Sequence, residues 1–329
     1  MLDFWIRETL VRRYVLKRLF QAPALILLVA IINFTLIHIA PGDPAVYLAG
    51  SLGQARPIEF LETLRESMGL NRPLHEQLWI YLTRVFQGDF GYSYTHQRPV
   101  SVLILGRLAS TVILMTLSLL ISVVLGILLG VAASKKPYSK VDNMITSTSL
   151  IVYSMPSFWV GIVFILIFSY QLGFFPVGGM RSIDPANPTL DILWHLVLPA
   201  TVLGLGRLAL YMRLTRANML EVLRQDYVTT AWAKGCDERK VYYGHALRNA
   251  LLPVVTVIGF QFRFLLTGSV LVETVFSWPG IGHLLFLSVL ERDYNLIMTI
   301  FFFGSAMVVI GNLLADLTYT LLDPRIRYR

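Results

Sequence analysis

From Ser110 to Ser134 the sequence runs for 25 residues without a charged side chain. A helix of that length extends roughly 37 Å, more than the hydrocarbon thickness of a bilayer. It is also one of the few structures that satisfies its own backbone polar groups in lipid. Further apolar runs cover Leu19–Ala40, Val141–Tyr170, His195–Met212, Leu251–Val272 and Tyr294–Leu314. With 55% hydrophobic and 15% charged residues and a mean hydropathy of +0.63, the chain lies outside the range of soluble globular domains. The reading is an all-α polytopic membrane protein.

Basic residues set the expected topology. Arg12, Arg13, Lys17 and Arg18 precede the first run, which is long for a signal-peptide core and reads as an uncleaved span. Lys135, Lys136 and Lys140 follow the second, and Arg224, Lys234, Arg239, Lys240 and Arg248 crowd the segment after the fourth. The positive-inside rule then predicts six transmembrane helices with both termini cytoplasmic. The domains expected are a cytoplasmic segment 1–18, a first span 19–40, an extracytoplasmic region 41–105, and a core 106–329 with a polar loop at 215–250. Because the net charge of +8 sits beside the spans, nucleic acid is not an expected partner. Cys236 is the only cysteine, which excludes intrachain disulfides and cysteine-rich metal sites.

Several residues inside the spans carry local expectations. Gly126 and Gly130 are spaced for close helix packing. Pro156 removes a backbone hydrogen bond whose freed groups Ser154 and Ser157 could satisfy, and both a simple kink and a bend lining a pathway remain open. His195 reads as an interfacial hydrogen-bonding residue. The fourth span is interrupted by Pro199, Gly204, Gly206 and Arg207, with Arg207 free to snorkel toward Arg213 and Arg216. In the region 41–105, two segments of helical spacing could pack on the outer mouth of the bundle or touch substrate.

The longest polar interruption of the C-terminal half is Asp226–Pro253. Asp226 can cap a short helix, Gly235 can end it in the left-handed region, and Asp237 can start a second helix that Pro253 stops or kinks. Ala231 and Gly235, four residues apart, would leave one helix face nearly bare for a partner. A basic amphipathic helix on the membrane surface is the plainer reading.

The segment TTAWAKG followed by ALRNALLP resembles the coupling loop of ATP-binding-cassette (ABC) importer permeases. Thr229, Thr230 and Ala231 fall on its Glu-Ala-Ala positions and Gly235 on its glycine. PGDP, GDFGYS, SMPSFW, HALRNALLPVVTVIG, VETVFSWPGIG, RDY and DPRIR extend the likeness along nearly the whole chain. Together they resemble the dipeptide, oligopeptide and nickel permease family, most of all the dipeptide permease B subunits. The resemblance implies a type I importer permease fold in a bacterial or archaeal inner membrane, and a homologous second permease chain. It also implies two ABC ATPase subunits and an extracytoplasmic substrate-binding protein. ATPase coupling would fall to Asp226, Tyr227, Thr229, Thr230, Ala231, Lys234 and Gly235.

The sequence contains no phosphate-binding loop of the G-x-x-x-x-G-K-[ST] type and no catalytic elbow, so no cofactor is expected on this chain. ATP and magnesium would be handled by the ATPase partners. Ser154, Pro156 and Arg263 are the candidates for the translocation path. Arg263, mid-span, could pair within the assembly or attract a substrate carboxylate. Nickel complexes, opines and oligosaccharides stay open as substrates beside peptides. An ion-coupled secondary transporter is the alternative of another class, against which stand the scarcity of deep charges and the lack of a detectable repeat.

Overall fold

The computed structural model describes residues 21–36, 38, 39, 45, 46, 58–261, 265 and 267–322. Its first helices are α1 (Gln21–Leu36), α2 (Ile58–Met68), α3 (Leu74–Phe86) and α4 (Val100–Lys135). Then come α5 (Lys140–Ser154), α6 (Ser157–Phe164, prolonged by π-helical Ile165–Gln171), α7 (Pro188–Val222) and α8 (Asp226–Ala233). The last are α9 (Lys240–Ala246 in π geometry, then Leu247–Ala250), α10 (Leu252–Gln261), α11 (Val270–Val275), α12 (Ile281–Leu290) and α13 (Tyr294–Leu322). Between α3 and α4 a small antiparallel hairpin, β1 (Tyr92–Ser93) and β2 (Arg98–Pro99), pairs Tyr92 with Pro99 and Ser93 with Arg98.

Two compact units emerge, one from Met1–Ala109 with Gly280–Arg329, the other from Ser110–Pro279. In the first, Val100 and Ile104 at the start of α4 are buried with Ile281, Leu284, Leu296 and Ile300. Two motifs far apart in sequence meet there. Ser93 of GDFGYS donates from Oγ to Asp293 of RDY at 2.5 Å, and Asn295 Nδ2 donates to the Tyr92 carbonyl at 3.1 Å. The other Asp293 oxygen accepts from Leu296 N at 3.2 Å, so one buried carboxylate caps α13 and holds the hairpin.

In the second unit α4 and α7 touch backbone to backbone, as the small residues of the second span predict. A Cβ on Gly126 would lie 2.5 Å from Tyr211 Cβ, and one on Gly130 would lie 2.7 Å from the Met212 carbonyl oxygen. Leu114, Leu196, Val202, Phe276 and Trp278 fill the core beside this crossing, with Trp278 Nε1 donating to the Ser110 carbonyl at 2.9 Å.

The structure corrects several span boundaries. α4 begins at Val100, ten residues ahead of the expected start, because Arg107 is a single charge in otherwise apolar helical sequence. α7 runs through Pro199, Gly204 and Gly206 without breaking. It is capped by Asn187, which accepts from Thr189 N and Leu190 N, and Gly204 serves to admit Ile121. Arg207 does not snorkel freely, since its Nη1 is buried with no hydrogen-bond partner among the described residues.

The third run is not one straight helix: Lys140–Ser154 and Ser157–Gln171 meet at 100°. Each half has 15 residues, roughly 22 Å if straight, too short to cross the hydrocarbon alone. The fifth run does not continue as a helix to Val272. Non-helical Gly268 and Ser269 precede α11, with Gly268 at φ +70° and the Glu273 carboxylate seated against it. Among the described residues three helices, or four if the bent pair is one span, are long and apolar enough to cross a membrane.

Candidate coupling site

The short helix α8 starts where the sequence places it but not through the expected cap. Gln225 occupies the N-cap position without a side-chain bond, and Asp226 sits in the first turn. There its carboxylate acts only through the helix dipole, a contribution of a few tenths of a kcal/mol. Thr230 Oγ1 donates back to the Asp226 carbonyl at 2.9 Å. At the other end Gly235 has φ +76°, and Cys236 N donates to the Ala231 carbonyl at 3.2 Å, the left-handed termination that the glycine predicts.

The expected bare docking face is overturned in part. Ala231 is 5% exposed and Val228 fully buried, both packed with Val241 beside Val222, Leu223 and Cys236 of the same chain. An apolar i, i+3 stripe on an amphipathic helix faces its own core, so Ala231 anchors α8. The outward face carries Tyr227 at 42% and Trp232 at 45% exposure, with exposed Thr229, Thr230, Lys234 and Gly235. Tyr227 is oriented by Asn249, whose Nδ2 donates to its hydroxyl at 2.7 Å.

Two polar links were not anticipated, one tying this region to α4 and the other tying α7, which leads into it, to α5. Lys135, at the end of α4, has Nζ 3.8 Å from Glu238 Oε1 and about equally near the rings of Tyr242 and Tyr243, at 5.6 and 5.5 Å. The Tyr242 hydroxyl donates to the Lys135 carbonyl at 3.4 Å, and burial, with Glu238 adding to it, pushes that phenol above its ordinary pKa.

The second link is a bidentate ion pair. Arg216 of α7 donates from Nε to Asp142 Oδ1 at 2.7 Å and from Nη2 to Oδ2 at 2.6 Å. Asp142 is 2% exposed in its side chain, Arg216 22%. The same carboxylate accepts from Tyr138 N at 2.7 Å and Thr146 Oγ1 at 3.3 Å, while Ser139 caps α5 by accepting from Asp142 N. The guanidinium also lies 5.8 Å from the Tyr138 ring centre. The Ser-x-x-Asp pattern at 139–142 is a capping box in the sequence, the one signal that could have singled out Asp142.

Ser154 and Pro156 stand at the bend between α5 and α6. The Ser154 hydroxyl donates to the Leu150 carbonyl at 2.9 Å and Pro156 precedes α6 as its N-cap residue. Met155, Phe158 and Trp159 beside them are exposed. Arg263 lies outside the described residues.

The chain belongs to the family described as the binding-protein-dependent transport system inner membrane component, whose pattern matches residues 122–328, while the family's N-terminal pattern matches residues 11–115. It is 41% identical to the oligopeptide transport system permease protein AppB of Bacillus subtilis over 96% of this chain and 99% of that protein. It is 40% identical to the glutathione transport system permease protein GsiC of Salmonella typhimurium, again over 96% and 99%. The probable peptide ABC transporter permease protein y4tP of Sinorhizobium fredii matches at 40% with the same coverage. Among solved structures, an amino acid ABC transporter with histidines has a TM-score of 0.49 at 15% identity, covering 68% of this chain and 95% of that one.

Proposed function

We propose that the chain is one of two permease chains of an ATP-driven importer of di- and oligopeptides, with six spans and both termini in the cytoplasm. Extracytoplasmic binding protein would deliver the substrate, and two ATPase subunits would bind ATP and magnesium. The permease relatives named for peptides, oligopeptide and glutathione support the substrate class. The observation that carries the coupling role is the division of α8 into a face locked to its own chain through Val228 and Ala231 and a face presenting Tyr227 and Trp232 outward.

A helix so anchored moves as a rigid piece with what it packs on. A push on Trp232 would pass through Val241 to α9, and through the Lys135 contacts to α4. It would also pass along α7 and the Arg216–Asp142 pair into α5 and its bend at Pro156. Alternating access then needs only two arrangements of these levers, each favoured by a different nucleotide state of the ATPases. Asp226, Thr229, Thr230, Lys234 and Gly235 form the rest of the outward contact.

The test is co-purification of the chain with its ATPase, and ATP-dependent peptide uptake in proteoliposomes, for the native chain and Trp232→Ala. Truncating a half-buried aromatic anchor costs an interface about 2 kcal/mol or more, so ATPase association should weaken at least about tenfold. Unchanged association and uptake would remove the coupling role from this face.

A further inference from the structure

The unit built from the two ends of the chain forms an open-mouthed cavity of about 670 Å³, within the size range of small-ligand sites. Along α3 its wall is Gln77, Ile80, Tyr81, Arg84 and Val85, the successive positions of one helix face. Tyr294, Asn295, Met298 and Thr299 of α13 form another wall, and Phe34 and His38 close the end nearest α1. The scaffold is held before any ligand arrives. Gln77 Nε2 donates to the carbonyls of Arg72 at 2.7 Å and Leu70 at 3.2 Å, and its Oε1 lies 3.2 Å from His38 Nε2.

We infer that this cavity binds a short peptide bearing a free ammonium and a free carboxylate, an inference that rests on the importer reading above. Four charged side chains line it, Glu66, Arg72, Arg84 and Asp89, and none makes an ion pair with another described residue. Among the described residues Asp89 accepts only from Gly91 N, at 2.9 Å. Two charges of each sign line the cavity, all four exposed to solvent and so free to reach the two ends of a zwitterion. An anion alone would leave the carboxylates opposing it, and a cation alone would meet the guanidinium groups. A guanidinium can take a peptide carboxylate through two parallel hydrogen bonds, and a carboxylate can take the ammonium.

Deeper in, the Tyr81 hydroxyl is buried with no hydrogen-bond partner among the described residues. Burial pushes its pKa up to about 12, so it remains a neutral donor. It could meet a peptide carbonyl. Phe34, stacked on His38 at 3.9 Å and 5.9 Å from the Tyr81 ring, offers an apolar wall to a side chain. A zwitterionic lipid headgroup shares the ligand's end charges but has no peptide carbonyl, and the test separates the two.

The experiment is equilibrium dialysis of radiolabelled trialanine against the full-length chain in phosphatidylglycerol nanodiscs without binding protein. N-acetyl-trialanine amide, which lacks both end charges, is the comparison. Saturable binding of trialanine is expected, weaker by about a hundredfold or more for the blocked peptide, which loses a charge-assisted contact at each end. Arg84→Gln and Glu66→Gln, each removing one such contact, should each show a loss of about ten- to a hundredfold. Equal affinity for the two peptides, or no saturable binding of trialanine, overturns the site. Retention of phosphatidylethanolamine by the purified chain, lost in Arg84→Gln and without peptide binding, overturns it in favour of a lipid. If the full complex with its binding protein still imports trialanine in either case, only the cavity assignment falls. Absence of both import and ATPase association removes the importer reading itself.

Discussion

Replacing Asp142 by Asn keeps the volume of a nearly fully buried side chain while removing the charge that Arg216 meets through two short bonds. The amide oxygen can still accept from Tyr138 N, so the loss falls on the ion pair. Breaking a fully buried pair by removing one partner costs about 3–5 kcal/mol. Here solvent reaches the Arg216 side chain, 22% exposed, and can rehydrate the stranded guanidinium, so about 2 kcal/mol is the expected cost. At about 2–4 °C per kcal/mol the unfolding midpoint should fall by roughly 4–8 °C. Intrinsic tryptophan fluorescence of the purified chain in nanodiscs would follow it. The decisive measurement is a double-mutant cycle with Arg216→Gln. A directly bonded pair should give a coupling of about 1 kcal/mol or more. Single losses that simply add in the double variant would refute the claim that this pair joins α5 to α7.

Further expectations follow from other sites. Gly235→Leu meets open space, so its cost is the left-handed backbone alone, about 1 kcal/mol; the chain should still insert, while ATP hydrolysis by the reconstituted complex loses its link to peptide uptake. Gly268→Ala places a Cβ 2.5 Å from Glu273 Oε1 at φ +70°, and should lower the yield of folded chain in size-exclusion analysis far more than Gly235→Ala. A membrane-impermeant thiol reagent applied outside cells should label Asp184→Cys and spare native Cys236; the reverse pattern would overturn the proposed orientation.

What could be read in the sequence was what local chemistry decides. The two helices between 58 and 86 follow their apolar spacing, the glycine pair of α4 marks the helix crossing, and Gly235 adopts the backbone that a helix-ending glycine allows. Ala231 was misplaced for a physical reason. A stripe of small residues looks the same whether it waits for another protein or packs at home, and only Val241, ten residues on, shows which. The Asp142–Arg216 pair joins residues 74 positions apart, beyond any local period. The 100° turn at Pro156 exceeds what one missing hydrogen bond requires, because Met155 and Pro156 are both extended, with ψ of 136° and 129°, and interrupt the helix outright.

The hydrogen bond from Ser93 to Asp293 bears on how the protein is made. Its partners are separated by 200 positions, and the unit that they close is composed of the first and last portions of the chain. During synthesis the hairpin at Tyr92–Pro99 emerges long before the residue that secures it, whereas the unit Ser110–Pro279 is one continuous stretch and can close as it leaves the ribosome. The N-terminal helices must therefore wait in an unfinished state, with the buried sites of Ser93 and of the Val100–Ile104 turn open, until α12 and α13 arrive. That interval, at roughly 5–20 residues per second, lasts on the order of ten seconds or more. For that time the early part of this chain keeps these apolar sites without their partners, and a nascent chain stopped before Asp293 would keep them so.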